Sequence, residues 1–267
     1  MHDAKAATDA AYEEVINFAV LILLSYICVI ITQIYRMEQD HVYEYPRPAV
    51  TADCVIFGFD AGELKVLLIE RGINPFKDKW ALPGGFINMD EDTEACARRK
   101  LKEETSLENV YIEQLFTFSE VNRDPRYRVI SVAYYALVKL SDYAAQPGKN
   151  TKNVCWFPLS EVPELAFDHI QILKTAIERL KGKIKYCPIG FELLPEKFTF
   201  PELHQLYETV LQTKLDRRNF RKKMLSFGFL IDEDEFLSGA PNRAPKLYRF
   251  DKKKYLELTE KGFYFEL

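Results

Sequence analysis

The sequence predicts an α+β protein: a domain built on a mixed sheet, followed by a small helical domain closed by a hairpin. Three observations point there. Strand-length apolar runs (residues 52–59, 64–69 and 129–138) are interspersed with helical segments without strict alternation. Near Cys187-Pro188-Ile189-Gly190 the pattern changes to short helices and then short strands. No internal repeat is visible, which argues against a solenoid.

In order along the chain, residues 52–59 and 64–69 read as strands, with Asp60-Ala61-Gly62-Glu63 between them as a hairpin turn. Residues 80–82 form a short strand stopped by Pro83-Gly84-Gly85, which demands a tight loop. Residues 92–105 are helical, with Ala95, Ala97 and Leu101 on a small-residue face. Residues 110–118 and 129–138 are further strands, the second apolar enough to be central, and 154–158 is another. Residues 167–180 close the domain as a helix, with Ile170, Leu173, Ile177 and Leu180 at helical spacing. Beyond the boundary, Thr199-Phe200-Pro201-Glu202 is a capping box with proline in the first turn. It opens a helix with Leu203, Leu206, Tyr207, Val210 and Leu211 on one face. Asp216 is the N-cap of a second helix, and residues 229–231 and 247–250 bracket the loop SGAPNRAP.

Composition excludes several classes. With 48% apolar residues over 267 positions, a substantial core can form and global disorder is ruled out. The five cysteines are odd in number and lack a C-x-x-C pair, so neither a disulfide framework nor a structural zinc site is expected. The four histidines lack metal-ligand spacing, and a reducing cytoplasmic setting fits best. The net charge of −4 is unevenly spread: residues 193–267 hold 14 Lys+Arg against 12 Asp+Glu, which suggests a division of labour between the halves.

The N-terminal 36 residues stand apart. The 21 residues of 15–35 carry no charge, long enough to span a bilayer as a helix. The acidic flank before them and the lack of a small-residue cleavage site argue against a secretory signal. Two readings stand: a membrane anchor with a cytoplasmic body, or a misassigned start with the protein proper beginning at Met37. The expected organisation is therefore residues 1–36, a ligand-binding domain over 45–187, and a DNA-binding domain over 191–267.

The stretch GGFINMDEDTEACARRKLKEETSL carries the first chemistry. Gly85, Glu91, Arg99, Leu101, Glu103, Glu104 and Leu107 resemble the Nudix box, G-x5-E-x7-R-E-U-x-E-E-x-G-U, with U an aliphatic residue. The resemblance implies an α/β/α sandwich around a mixed sheet. It also implies a helix whose carboxylates gather divalent cations for attack of water on a diphosphate. Two positions depart from the box: Lys100 stands where the family has glutamate, and Ser106 where it has glycine. An ammonium in place of a carboxylate changes the local charge by two units, and it can pair with a phosphate directly. The expectation is a pocket that binds through Gly85, Arg99 and Lys100, with no catalytic residue. If the pocket is active, Glu103 and Glu104 would serve as catalytic and Mg2+-binding groups. Pro125-Arg126-Tyr127-Arg128, ahead of the apolar strand, is also similar to ADP-ribose-type Nudix proteins, implying Arg126 or Arg123 beside an anionic ligand. A solvated loop is the other reading.

The second chemistry lies in residues 214–223, KLDRRNFRKK, with six basic residues against one acidic. Arg217 and Arg221 lie four apart, as do Arg218 and Lys222, while Phe220 and Met224 face the other way. Two short helices, the second basic, followed by a hairpin describe a winged helix-turn-helix. Arg217, Arg218, Asn219, Arg221 and Lys222 would contact duplex DNA, and Arg243 and Lys246 would form the wing. The acidic run Asp232–Glu235 fits this only if it points away from the duplex.

A degenerate Nudix box followed by FTFPELHQLYETVLQTKLDRRNFRKK and KLYRF resembles the Nudix-related transcriptional regulators of the NrtR type. That implies a dimer that senses an ADP-ribose-like or sugar metabolite and binds operator DNA without needing a cofactor. The alternative is an active Mg2+-dependent Nudix hydrolase of ADP-ribose or a related nucleoside diphosphate derivative.

Overall fold

The computed structural model describes residues 20–28, 45–140, 146–237 and 244–267. Residues 20–28 are helical. The remainder of 15–35 lies outside the described residues, and among those described no helix is long and apolar enough to cross a membrane. Residues 48–267 form one compact unit.

Its main sheet is mixed and seven-stranded. Strands β1 (Ala49–Asp60) and β2 (Glu63–Arg71) form the expected hairpin. Its turn residues Ala61 and Gly62 both have positive φ (50° and 82°), as a tight two-residue turn needs. Strand β3 (Trp80–Ala81) pairs with β2, and β4 (Gly84–Phe86) pairs with the start of β1. Strand β5 (Tyr111–Phe118) is an edge, paired with β6 (Val129–Lys139), which runs parallel to β1. Strand β7 (Thr151–Pro158) covers the far side of β2.

Alternation along β1 decides which helix each face receives. Ala52, Cys54 and Ile56 pack with Cys96, Ala97 and Leu101 of α1 (Thr93–Thr105). Val55 and Phe57 point the other way, into a core with Ile172, Leu173, Ala176 and Leu180 of α2 (His169–Lys183). Because both faces are covered, β1 has no polar stripe, and the sandwich is α/β/α. Helix α1 starts on Asp92, whose carboxylate accepts the Ala95 N–H at 2.8 Å. It ends on Ser106 at φ 62°, the left-handed cap where glycine is favoured, so the family glycine answers a backbone need.

The second domain begins with a 3₁₀ turn (Ile189–Leu193) and strand β8 (Lys197–Thr199). Helix α3 (Phe200–Leu211) carries the complete Thr199–Glu202 capping box with Pro201 in its first turn, and α4 (Arg217–Ser226) is capped by Asp216. Strands β9 (Leu230–Phe236) and β10 (Lys246–Phe250) then join β8 in the order β8-β10-β9, and α5 (Lys252–Glu260) follows. Strand β8 and helix α5 lie outside the sequence expectation, and the acidic run Asp232–Glu235 lies within β9.

The core does not stop between the domains. Ile189, Phe191, Leu193, Leu203, Leu206 and Tyr207 share one buried cluster with Val55, Phe57 and Leu180. The Thr209 hydroxyl donates to the Gly62 carbonyl at 2.9 Å, seating the β1–β2 turn on α3.

Replacing Ser106 by glycine should relieve the left-handed strain, so Ser106→Gly is expected to raise stability by about 1 kcal/mol in urea denaturation, with an unchanged slope.

Candidate functional site

A cleft of about 330 Å³ opens between the start of β1, the β3–β4 loop, α1 and the loop leading into α2. The Pro83-Gly84-Gly85 loop is held from two sides. The Leu82 N–H donates to His169 Nδ1 at 2.9 Å, and the Gly84 N–H donates to the Glu104 carboxyl at 3.0 Å. Because Nδ1 accepts, the proton of His169 sits on Nε2; burial also pushes its pKa down, keeping the ring neutral.

The box residues divide into braces and cleft groups. Arg99 donates to Glu91 at 2.8 Å, to the Phe86 carbonyl at 3.1 Å and to Glu103 at 3.1 Å. It thereby fixes the chain from Phe86 to Glu91 against α1. The guanidinium of Arg99 holds the Glu91 carboxyl down at a pKa of about 2.

The stem of Lys100 lies across Gly85 so closely that a Cβ there would stand 2.6 Å from Lys100 Cε. Its ammonium reaches Glu103 at 2.7 Å. Glu104 faces the cleft, and burial raises its pKa to about 7 against the opposing pull of the Gly84 N–H and Lys100.

A hard cation needs several free carboxylate oxygens. Here Glu103 is taken by Lys100 and Arg99, and Glu104 holds its proton up to near neutrality. Among the described residues no three acidic, His or Cys side chains are placed to hold a metal ion. These side chains do not fit the Mg2+ site of a hydrolase.

The floor and the far wall are cationic. Arg123 is buried: it makes a two-point contact with Asp168 (2.9 and 2.7 Å) and lies 3.5 Å from Asp53, which also accepts from Ser131 at 2.5 Å. Arg126 grips Asp124 at 2.9 and 2.7 Å and lies over the rings of Phe86 and Tyr127, at 5.2 and 5.5 Å from their centroids. Arg71, at the end of β2, lies 4.9 Å from the Phe167 centroid and was not foreseen. The only signal for it was a basic residue ending a buried strand beside the Pro-Gly-Gly loop.

In the second domain, Phe220 and Met224 are buried behind α4, and Arg217, Arg218, Asn219 and Lys222 are exposed. No ion pair engages Arg217, Arg218 or Lys222 among the described residues. Arg221 behaves differently: it donates to the Tyr248 hydroxyl at 2.8 Å and lies 4.3 Å from the Phe200 ring centroid, bracing α4 on α3 and β10. Lys246 pairs with Asp232 at 2.8 Å across the β9–β10 ladder. Arg243 lies outside the described residues. The acidic run is answered from its own sheet, where Lys197 bonds Glu235 at 2.6 Å and Arg249 bonds Glu233 at 2.9 Å.

A basic recognition helix on a small winged sheet, behind a sandwich bearing a degenerate diphosphate-type box, defines a DNA-binding regulator with a ligand-binding domain. Comparison with known proteins agrees. Residues 47–179 match the NUDIX domain model, and residues 190–250 match the model of the NrtR DNA-binding winged helix domain. The chain is 37% identical over 216 residues to the ADPR responsive transcriptional repressor NtrR of Acinetobacter baylyi, covering 79% of this chain and 86% of that protein. It is 40% identical over 130 residues to an ADP-ribose pyrophosphatase of Methanocaldococcus jannaschii, covering 49% of this chain and 73% of that one. The crystal structure of Shewanella oneidensis NrtR complexed with a 27mer DNA superposes with a TM-score of 0.66 at 34% identity, covering 77% of this chain and 94% of the other. The chain belongs to the NrtR family of Nudix-related transcriptional regulators.

The state of Glu104 yields a pH prediction. Its native pKa is raised from 4.5 to about 7, so between these values the folded state binds more proton than the unfolded one. Stability should therefore fall as pH rises through that window. Glu104→Gln removes the contribution, and thermal unfolding should show the variant gaining on the order of 2–3 kcal/mol relative to the parent between pH 4.5 and 8.

Proposed function

We propose that this chain is a repressor that binds operator DNA through α4 and is released by an ADP-ribose-like effector held, without efficient hydrolysis, in the Nudix cleft. The observation that carries the reading is the Lys100–Glu103 pair. At a position where the family's hydrolytic box has a carboxylate, an ammonium sits 2.7 Å from the next one. Diphosphate cleavage asks for metal ions on the phosphoryl oxygens, and this arrangement opposes their binding while favouring an anionic ligand. The neighbouring guanidinium and aromatic groups of Arg126, Phe86 and Phe167 suit the charged and planar parts of a nucleotide. The Acinetobacter relative, named for its ADP-ribose response, supports the same effector.

On the DNA side, Arg217, Arg218 and Lys222 are exposed cations of α4 that can meet phosphates and base edges, with Asn219 beside them. Two copies would present two such helices to a two-fold operator. The outer edge of β5, with Phe116 exposed, is a surface on which they could join.

Fluorescence anisotropy of the full chain on DNA from upstream of its own locus, at two salt concentrations and against random duplex, tests the reading. Specific binding should survive competitor and weaken when ADP-ribose is added. Arg217→Ala and Arg218→Ala should each cost about 1–3 kcal/mol, and Lys222→Ala should flatten the salt dependence. Turnover of ADP-ribose with Mg2+ should be slow in the parent and faster in Lys100→Glu. Efficient turnover by the parent, with DNA binding no better than to random duplex, would make the chain a hydrolase instead.

A further inference from the structure

The chain between α3 and α4 leaves Gln212 in the left-handed conformation at φ 54° and then reaches the Asp216 N-cap. Leu215, the residue before that cap, is half-buried, and two side chains of α3 answer its backbone groups. The Glu208 carboxylate accepts the Leu215 N–H at 2.9 Å, and His204 Nε2 lies 2.9 Å from the Leu215 carbonyl. A carbonyl only accepts, so Nε2 carries the proton in this contact. His204 and Glu208 share one face of α3, with Nδ1 3.7 Å from the carboxylate. Together they hold both peptide planes that flank Leu215, and the second of these planes ends at the Asp216 nitrogen.

The same imidazole reaches α4 in a second way. It packs edge-to-face with Phe220, at 5.2 Å between ring centroids. Phe220 is buried, and its N–H closes the first turn of α4 on the Asp216 carbonyl at 2.9 Å. Arg217, Arg218 and Asn219 occupy that first turn, directly after the held peptides. A lysine or arginine finds a phosphate from a range of helix poses, whereas a base edge is met only from a narrow one. The hold on Leu215 therefore bears on the residues whose placement matters most for reading a sequence.

We propose that His204, acting with Glu208, is the positioning residue of the recognition helix. It fixes how the start of α4 enters the groove, and so governs discrimination between operator and other DNA more than affinity for DNA at large. The inference rests on the reading of α4 as the DNA-binding helix.

Selection of duplexes by the full chain from a randomised pool, followed by anisotropy on the selected duplex and on random duplex, tests this. Thermal unfolding shows whether each variant folds cooperatively. The parent should enrich a defined sequence. His204→Leu should bind that sequence about 10-fold more weakly while its affinity for random duplex equals the parent's. Glu208→Leu should behave alike, and the double variant should lose less than the two single losses combined, because both side chains act on one residue. His204→Gln, whose amide nitrogen keeps a donor for the Leu215 carbonyl, should recover the discrimination. A folded His204→Leu with the parent's affinity for the selected duplex overturns the proposal. So does an equal loss on both duplexes, or a His204→Gln no better than His204→Leu; each of these leaves the DNA-binding reading standing. A parent that enriches no sequence overturns both. Should His204→Leu not fold, His204→Asn, polar but too short to reach Leu215, takes its place, and discrimination equal to the parent's there counts against the proposal.

Discussion

A guanidinium sealed from water has to be answered by charge, and Arg123 is the group around which the ligand domain closes. Its fork on Asp168, with Asp53 at 3.5 Å, ties the start of α2 to the middle of the sheet. Removing either partner from such a set leaves an uncompensated buried charge, so the elements that carry them cannot drift independently. Asp53 is further held by Ser131 on β6 and flanked by Thr51 on β1. Next to Asp168, His169 uses its Nδ1 to hold the loop that precedes the box. The position of the Gly84-Gly85 backbone, and with it the rim of the cleft, is set by His169 at the start of α2 from one side and by Glu104 of α1 from the other.

That cluster also explains how the cleft can be cationic without collapsing on itself. Arg99, Lys100, Arg123 and Arg126 are each braced by an acid, leaving their orientation set before any ligand arrives. Lys100 belongs to this pattern: its ammonium pairs with Glu103 while its stem closes over Gly85. Glu104 remains as a carboxyl that burial keeps protonated up to neutral pH, so it can donate as well as accept. The same helix that begins at the cleft floor is tied near its end to β5 of the main sheet, where Lys183 pairs with Glu113, and just beyond it the Lys185 carbonyl accepts the Leu267 N–H at 2.9 Å. The two domains share an apolar core, and the packing between cleft and winged helix is continuous.

Much of this was legible in the chain. The hairpin at residues 60–63, the capping box at Thr199, the Asp216 cap and the buried Phe220–Met224 stripe are local matters, decided by turn and cap chemistry and by periodicity. The box could be read because its spacing follows the helix repeat over more than one turn. What escaped was of another kind. Strand β8 is three residues long and exists only because β10 pairs with it. The acidic run Asp232–Glu235 is balanced by Lys197 on β8 and by Lys246 and Arg249 on β10, a compensation between strands that no local pattern shows. Arg221 looked equivalent to Arg217, but Tyr248, 27 residues away, engages it.

The sequence by itself determined the elements, the order of the domains, the charge inversion at Lys100 and the basic helix, because each depends on residues within a turn or two of one another. The tertiary structure alone decided which cations are spoken for. Arg71, Arg99, Arg123 and Arg126 are the same residue type, and only folding brings a carboxylate within ion-pair reach of the last three and, among the described residues, not of Arg71. Charge compensation is a property of distances of a few ångströms between segments remote in the chain, and no local pattern carries it.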